Sequence, residues 1–236
     1  MISTKHRSVD PEIMDNFAME GDILQDALDK IAKINQLLGG NKLTLNGVRK
    51  LLNSIEPTQK ITLADIGCGN GDMLRKLADF GHQNGYEFEL IGFDANDFTI
   101  GYAKKLSLLY PNIRYEKLDI FDKKFQNFQF DIALCTLTLH HFDEPQIEIL
   151  LQKCYHQSRK GIVINDLHRN IVAYRLFQLL CLVFNLQDMS KQDGLTSILR
   201  GFKKHELINL SKKLSFKKFE LSWRWAFRYQ WIIYKT

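Results

Sequence analysis

Two spacings of apolar residues alternate along this chain. In some stretches they recur every three or four positions, as on one face of a helix. In others they cluster or fall at every second position, as in strands. Leu24, Ala27, Leu28, Ile31, Ile34 and Leu38 keep the longer period and predict a helix over 22–38, stopped by Gly39-Gly40. A shorter helix is expected within 44–53, with Leu45, Val48, Leu51 and Leu52 on its inner side.

From Ile61 the pattern changes. Ile61, Leu63 and Ile66 predict a short strand, followed by a helix carrying Leu74, Leu77 and Ala78 on one face, with Asp72 placed to cap it. Further strands are expected over 87–94, 113–118, 132–137 and 161–167. Helices should lie between them, one over 98–109 and one capped by Asp143, where Pro145 is tolerated in the first turn. Five alternations of strand and helix argue for an α/β fold around a mostly parallel sheet. The tail differs: after an apolar helix over 171–184 and another near 203–213, two runs alternate strictly. Phe219, Leu221, Trp223 and Trp225 form one, Phe227, Tyr229, Trp231 and Ile233 the other, which predicts an antiparallel hairpin.

Composition narrows the picture modestly. With 236 residues there is room for one α/β domain with additions, and sixteen Phe argue for a packed core. A formal charge of +5 neither demands nor excludes an anionic partner. Cys68, Cys135, Cys154 and Cys181 are scattered without C-x-x-C spacing, which argues for a reducing compartment and against a zinc or disulfide framework. The N-terminus has no apolar signal region, and the run over 171–186 is short for a membrane span and interrupted by Arg175, Gln178 and Asn185. A cytoplasmic location is expected. No pattern in the chain speaks to its oligomeric state.

The chemistry concentrates after the first strand. Gly67, Gly69 and Gly71 follow it in a G-x-G-x-G spacing, distinct from the dinucleotide-binding G-x-G-x-x-G. A glycine turn leading into a helix lets a ligand approach the backbone, where the first helical N–H groups point outward. Asp65, two residues before the first glycine, suits a cationic or hydroxyl-bearing ligand and would repel phosphate. Asp94 ends the second strand, where a carboxylate can accept both hydroxyls of a ribose, while Asp97 is better placed as a helix cap. Asp119-Ile120, after the third strand, fits either an adenine, with the acid on its amine and the isoleucine on its ring, or a solvated turn, since Asp122 and Lys123 follow at once.

Asp65-x-Gly67-x-Gly69-x-Gly71, Asp94, Asp119-Ile120 and the segment 136–142 after the fourth strand resemble class I S-adenosylmethionine-dependent methyltransferases. The resemblance runs from about Leu52 to the end and implies a Rossmann-like seven-stranded sheet with an antiparallel C-terminal hairpin. By that resemblance Gly67, Cys68, Gly69, Asn70 and Gly71 would surround the methionine part of S-adenosylmethionine. Asp94 and Ala95 would meet the ribose, Asp119 and Ile120 the adenine, and Thr136 the methyl sulfonium. The LHHF run at 139–142 looks like the ubiquinone/menaquinone C-methyltransferases. NDLHR at 165–169 and QDG at 192–194 are similar to polyketide- and pigment-pathway enzymes. The expected organisation is an N-terminal helical lid over 1–53 and a catalytic domain over 54–236 with a helical insertion at about 168–202. The extension either packs the core or covers the site, bringing Met14 and Phe17 near a substrate.

His140 and His141 are candidate bases for a phenol or enol proton, with His168 and Arg169 as rivals for a base or an anion anchor. No metal cluster stands out, so the reaction is expected to be metal-independent. The expected partner is a small aromatic or lipophilic acceptor, methylated at oxygen or carbon. CTLT stands where amino-group methyltransferases acting on bases carry N/D-P-P-Y/F, which argues against an adenine or glutamine N-methyltransferase; nucleic acid is not the expected partner. Two rival readings remain. One is an RNA methyltransferase using Lys203, Lys204, Lys212, Lys213, Lys217 and Lys218. The other is a non-catalytic cofactor-binding subunit.

Overall fold

A computed structural model describes residues 2–53 and 59–236; the expected domain boundary at 53/54 falls beside the segment outside these residues. The sheet is built from β1 (Ile61–Ile66), β2 (Phe88–Asp94), β3 (Ile113–Lys117), β4 (Phe130–Thr136), β5 (Ser158–Leu167), β6 (Lys218–Arg224) and β7 (Arg228–Tyr234). Their order is β3-β2-β1-β4-β5-β7-β6. The first five strands are parallel, and β7 pairs antiparallel with both β5 and β6. This is the α/β sheet with a C-terminal hairpin that the alternating patterns predict, and its seven strands are those that the resemblance implies.

Two cores cover the two faces, because a central parallel strand is apolar on both sides. Leu63, Leu90, Leu134 and Val163 pack with α2 (Gly40–Leu52), α3 (Asp72–Asn84) and α4 (Asp97–Leu106) on one face. Ala64, Ile91, Ala133 and Ile164 pack with α5 (Glu144–Gln157) and α8 (Lys204–Lys213) on the other. Leu45, Val48, Leu51 and Leu52 of α2 are therefore part of the sheet's own core. The first helix, α1 (Asp22–Leu37), and the pair α6 (Ile171–Val183) and α7 (Asp188–Arg200) lie against the cavity described below. Among the described residues no helix is long and apolar enough to cross a membrane.

Several boundaries depart from expectation, among them the start of α2, which lies at Gly40 and not within 44–53. α4 stops at Leu106, since Leu108 and Leu109 are exposed and add nothing to its buried face. Its cap is Asn96, which accepts from Thr99 N at 2.8 Å, and Asp97 is the first helical residue. Likewise Asp72 opens α3 behind a left-handed Gly71 instead of capping it.

Candidate functional site

β1 and β4 are neighbours whose connections leave toward opposite edges of the sheet, and a crevice opens at their carboxyl ends. The glycine turn lies there. Gly67 N and Cys68 N both donate to Phe93 O, at 2.9 and 3.0 Å, which draws the turn onto the end of β2. Gly71 has φ of +77°, and a side chain on it would collide with the Tyr115 hydroxyl. Gly69 N donates to Asp94 Oδ2 at 3.2 Å and Asn96 N to Asp94 Oδ1 at 3.0 Å, so the acid at the end of β2 faces the turn.

Asp65 is the telling member of this group. It is 2% exposed, and its Oδ1 has no hydrogen-bond partner among the described residues. Burial, and then the neighbouring Asp72 and Asp94, push its carboxyl well above the usual range. A buried acceptor of this kind calls for a donor, and a ligand ammonium would supply both hydrogen bond and charge. Burial also raises Asp94, while the N–H groups of Asn96 and Gly69 pull it back down.

Gly67, Cys68, Gly69, Asn70, Asp94, Ala95, Asp119, Ile120 and Thr136 all line one cavity of about 610 Å³ with Asp65. Asp119 is exposed and accepts from Phe121 N at 2.9 Å, whereas Ile120 is buried. Gly71 is not itself part of the lining, although its neighbours Asn70 and Asp72 are, and its turn shapes the start of α3. Thr136 Oγ1 sits 3.0 Å from Thr44 Oγ1, so its hydroxyl is shared with α2.

The two histidines after β4 have different surroundings. His140 is 2% exposed; its Nδ1 lies 2.7 Å from Asp166 Oδ1, and its Nε2 faces Glu12 Oε1 at 3.7 Å. Burial works to raise Asp166, but the charge and hydrogen bond of His140 hold it below the ordinary carboxylate range. With Asp166 ionised, its oxygens can only accept, so Nδ1 of His140 carries a proton and Nε2 is the nitrogen left to exchange one. His141 Nδ1 instead lies 2.7 Å from Asp15 Oδ1.

Glu12 and Asp15 come from an N-terminal strap that crosses the site. Arg200 Nη1 meets Asp15 Oδ2 at 2.6 Å, and Arg200 also donates to His140 O and His141 O. Asp193 of α7 accepts from the backbone of Ile13 and Met14, at 2.7 and 3.0 Å. Glu12, His140 and His141 each offer one metal-ligating atom within 4.8 Å of the others, a cluster the sequence hides because Glu12 is far away in the chain. Arg200 already brings positive charge within 3.8 Å of Glu12 Oε1, which disfavours a divalent cation there.

His168 and Arg169 have other work. His168 lines the cavity, but its Nδ1 accepts from Trp223 Nε1 at 3.2 Å, and burial lowers its pKa, helped by Lys203 and Arg169. Arg169 is fully buried, paired with Glu206 at 2.6 Å and donating to Thr4 O, Lys5 O and Gly201 O. It ties the strap to α8 and has no free edge for a substrate anion. The corner of the cavity beside α1 holds Arg228, at the start of β7. Burial pulls its guanidinium down to about 10, with Asp166 acting to raise it, so it stays charged at neutral pH.

Asp166 could have been found by the logic that found Asp94, since both are acids near the carboxyl end of a buried strand. Glu12, Asp15 and Arg228 line the cavity without any local sequence signal, and Arg200 reaches Glu12 and Asp15 from α7; distant segments bring them together.

The comparisons with known proteins agree on the core of the chain. Residues 63–161 match the family model described as a methyltransferase domain. The tRNA U34 carboxymethyltransferase of Campylobacter lari is 30% identical over 105 residues, 44% of this chain and 34% of that protein. Its counterpart in Campylobacter jejuni is 28% identical over 125 residues, 52% of this chain and 40% of that protein. The chain thus spans between a third and two-fifths of the length of these curated relatives. Among solved structures, the plantazolicin methyltransferase BpumL in complex with SAH superposes with a TM-score of 0.68 at 15% identity, covering 91% of this chain and 94% of that one. The magnesium protoporphyrin IX methyltransferase ChlM from Synechocystis PCC 6803 with bound SAH gives 0.57 at 14% identity, with 84% of each chain covered. At such identities these two establish the shared fold.

Proposed function

We propose that this chain, a class I S-adenosylmethionine-dependent methyltransferase, methylates a small lipophilic acceptor at oxygen or carbon. The observation that carries this reading is the cavity: it runs from the glycine turn to a wall of Leu176, Phe177, Leu180, Leu186, Ile198 and Phe227, beneath Met14 and Phe17 of the strap. That apolar wall suits a ring or chain of modest size.

The cofactor, when bound, supplies an electrophilic methyl group on a sulfonium. Asp65 would meet its ammonium, Asp94 its ribose, and Asp119 with Ile120 its adenine. His140, oriented by Asp166, would accept the acceptor's proton at Nε2 as the methyl group is transferred. The strap, residues 2–37 with α7 behind it, would exclude water and hold the acceptor in line, so that proximity supplies much of the rate.

A nucleic-acid acceptor is the second reading, favoured by the likeness to the tRNA U34 carboxymethyltransferases of Campylobacter. Lys203, Lys204, Lys212, Lys213, Lys217 and Lys218 are all absent from the cavity lining, where Lys30 is the one lysine. Lys213 pairs with Glu148, and Lys218 lies over the Tyr234 ring. The two readings separate in a transfer assay with labelled cofactor, run in parallel on phenols, quinones and hydroxy acids and on bulk tRNA. Label in the small molecules supports the proposal; label confined to tRNA overturns it.

A further inference from the structure

Arg228 presents an unexplained buried charge. It is 3% exposed, and Nε and Nη1 of its guanidinium have no hydrogen-bond partner among the described residues. It lines the cavity at the junction of α1 and α2, where a Cβ on Gly40 would come within 3.0 Å of Nη1. An arginine taken out of water without hydrogen bonds is strongly unfavourable, and native chains keep such groups satisfied. The two residues before it, Ala226 and Phe227, both hold left-handed backbone, at φ of 62° and 53°, and also line the cavity.

Resting on the acceptor reading above, we infer that Arg228 is the anchor for a carboxylate, and that the acceptor is therefore a lipophilic acid carrying its nucleophile elsewhere on the molecule. Nε and Nη1 lie on different edges of the planar guanidinium, but each shares its edge with Nη2, and either edge matches one carboxylate in a bidentate pair. A phosphate dianion fits less well, since Glu12, Asp15, Asp65, Asp94 and Asp193 line the same cavity. Arg228 stands opposite Leu167 in the β5–β7 ladder, while Asp166, one residue earlier, points to the other face and holds His140. The acid and the reacting group thus sit on either side of the sheet's carboxyl edge.

The cofactor's own carboxylate is the other source of this chemistry. It shares a carbon with the ammonium, which Asp65 would hold on β1. β7 lies three strand spacings away, about 14 Å. That separation favours the acceptor.

The test uses the full chain saturated with S-adenosylhomocysteine and titrated calorimetrically with 1-hydroxy-2-naphthoate and with 1-naphthol. The expected result is at least tenfold tighter binding of the acid, abolished in Arg228→Met and partly restored in Arg228→Lys, with the affinity for S-adenosylhomocysteine unchanged. Arg228→Met should also melt no lower than the wild type, because it removes an unpaired buried charge. A structural arginine would instead lose stability on replacement, and that outcome overturns the inference. Equal binding of acid and naphthol overturns the anchor while leaving the acceptor reading intact. Failure of both to bind overturns both. Weaker S-adenosylhomocysteine binding in Arg228→Met assigns the residue to the cofactor and overturns the inference.

Discussion

Asp166 Oδ1 lies 2.7 Å from His140 Nδ1, and Asp166 Oδ2 also receives the His140 backbone N–H at 3.3 Å. One carboxylate thus sets both the place and the tautomer of the imidazole. Asp166→Asn would keep the shape but lose the charge that fixes the Nδ1–H form. Turnover is expected to fall by about 10²–10⁴-fold, the usual contribution of a positioned base, with cofactor affinity unchanged. Single-turnover methyl transfer at saturating cofactor measures this, and undiminished transfer removes the pair from the chemistry.

Cofactor binding should release a proton. Burial and the neighbouring Asp72 and Asp94 raise the Asp65 carboxyl, so the free chain keeps it protonated above the usual carboxylate range. An incoming ammonium favours the ionised form, and affinity should therefore rise with pH up to the raised value. The folded chain binds more protons than the unfolded one across that window, so the stability of the free protein should fall as pH climbs from about 4. Calorimetry in buffers of different ionisation enthalpy counts the proton, and Asp65→Asn should abolish the release.

Asp94→Ala should weaken S-adenosylhomocysteine by about 1–3 kcal/mol, the range for losing hydrogen bonds to a charged group. The same change frees Gly69 N and Asn96 N, so the crystal structure of the variant would separate a lost ribose contact from a displaced turn. An affinity equal to wild type would exclude Asp94 from the site.

The strap is held at a few points, and Asp193 is one of them. Asp193→Ala leaves the N–H groups of Ile13 and Met14 without their acceptor, at a cost of about 1–3 kcal/mol in local opening. Hydrogen exchange at those two amides should accelerate while β1 and β4 stay protected. The acceptor KM should rise more than the cofactor Kd. Unchanged exchange would mean that Arg200 and Arg169 hold the strap without it.

Much of this protein is legible in its linear sequence. Leu63, Leu90, Leu134 and Val163 lie in strands buried on both faces, and their apolar runs announced the parallel sheet. The glycine turn was equally plain, since φ of +77° at Gly71 and the crowding by Tyr115 leave few alternatives to glycine. Asp65 and Asp94 could be read because short local elements hold them, and the topology of parallel strands brings their ends together. These are consequences of local periodicity and backbone sterics, which a linear pattern records. Where Glu12 meets His140, and where Arg228 meets the corner beside Asn35 and Gly40, only the tertiary structure decided. Those meetings depend on how the strap, α1 and the last hairpin pack over the strand ends. Burial and charge balance, which set the state of Asp65, Asp166 and Arg228, arise from that packing.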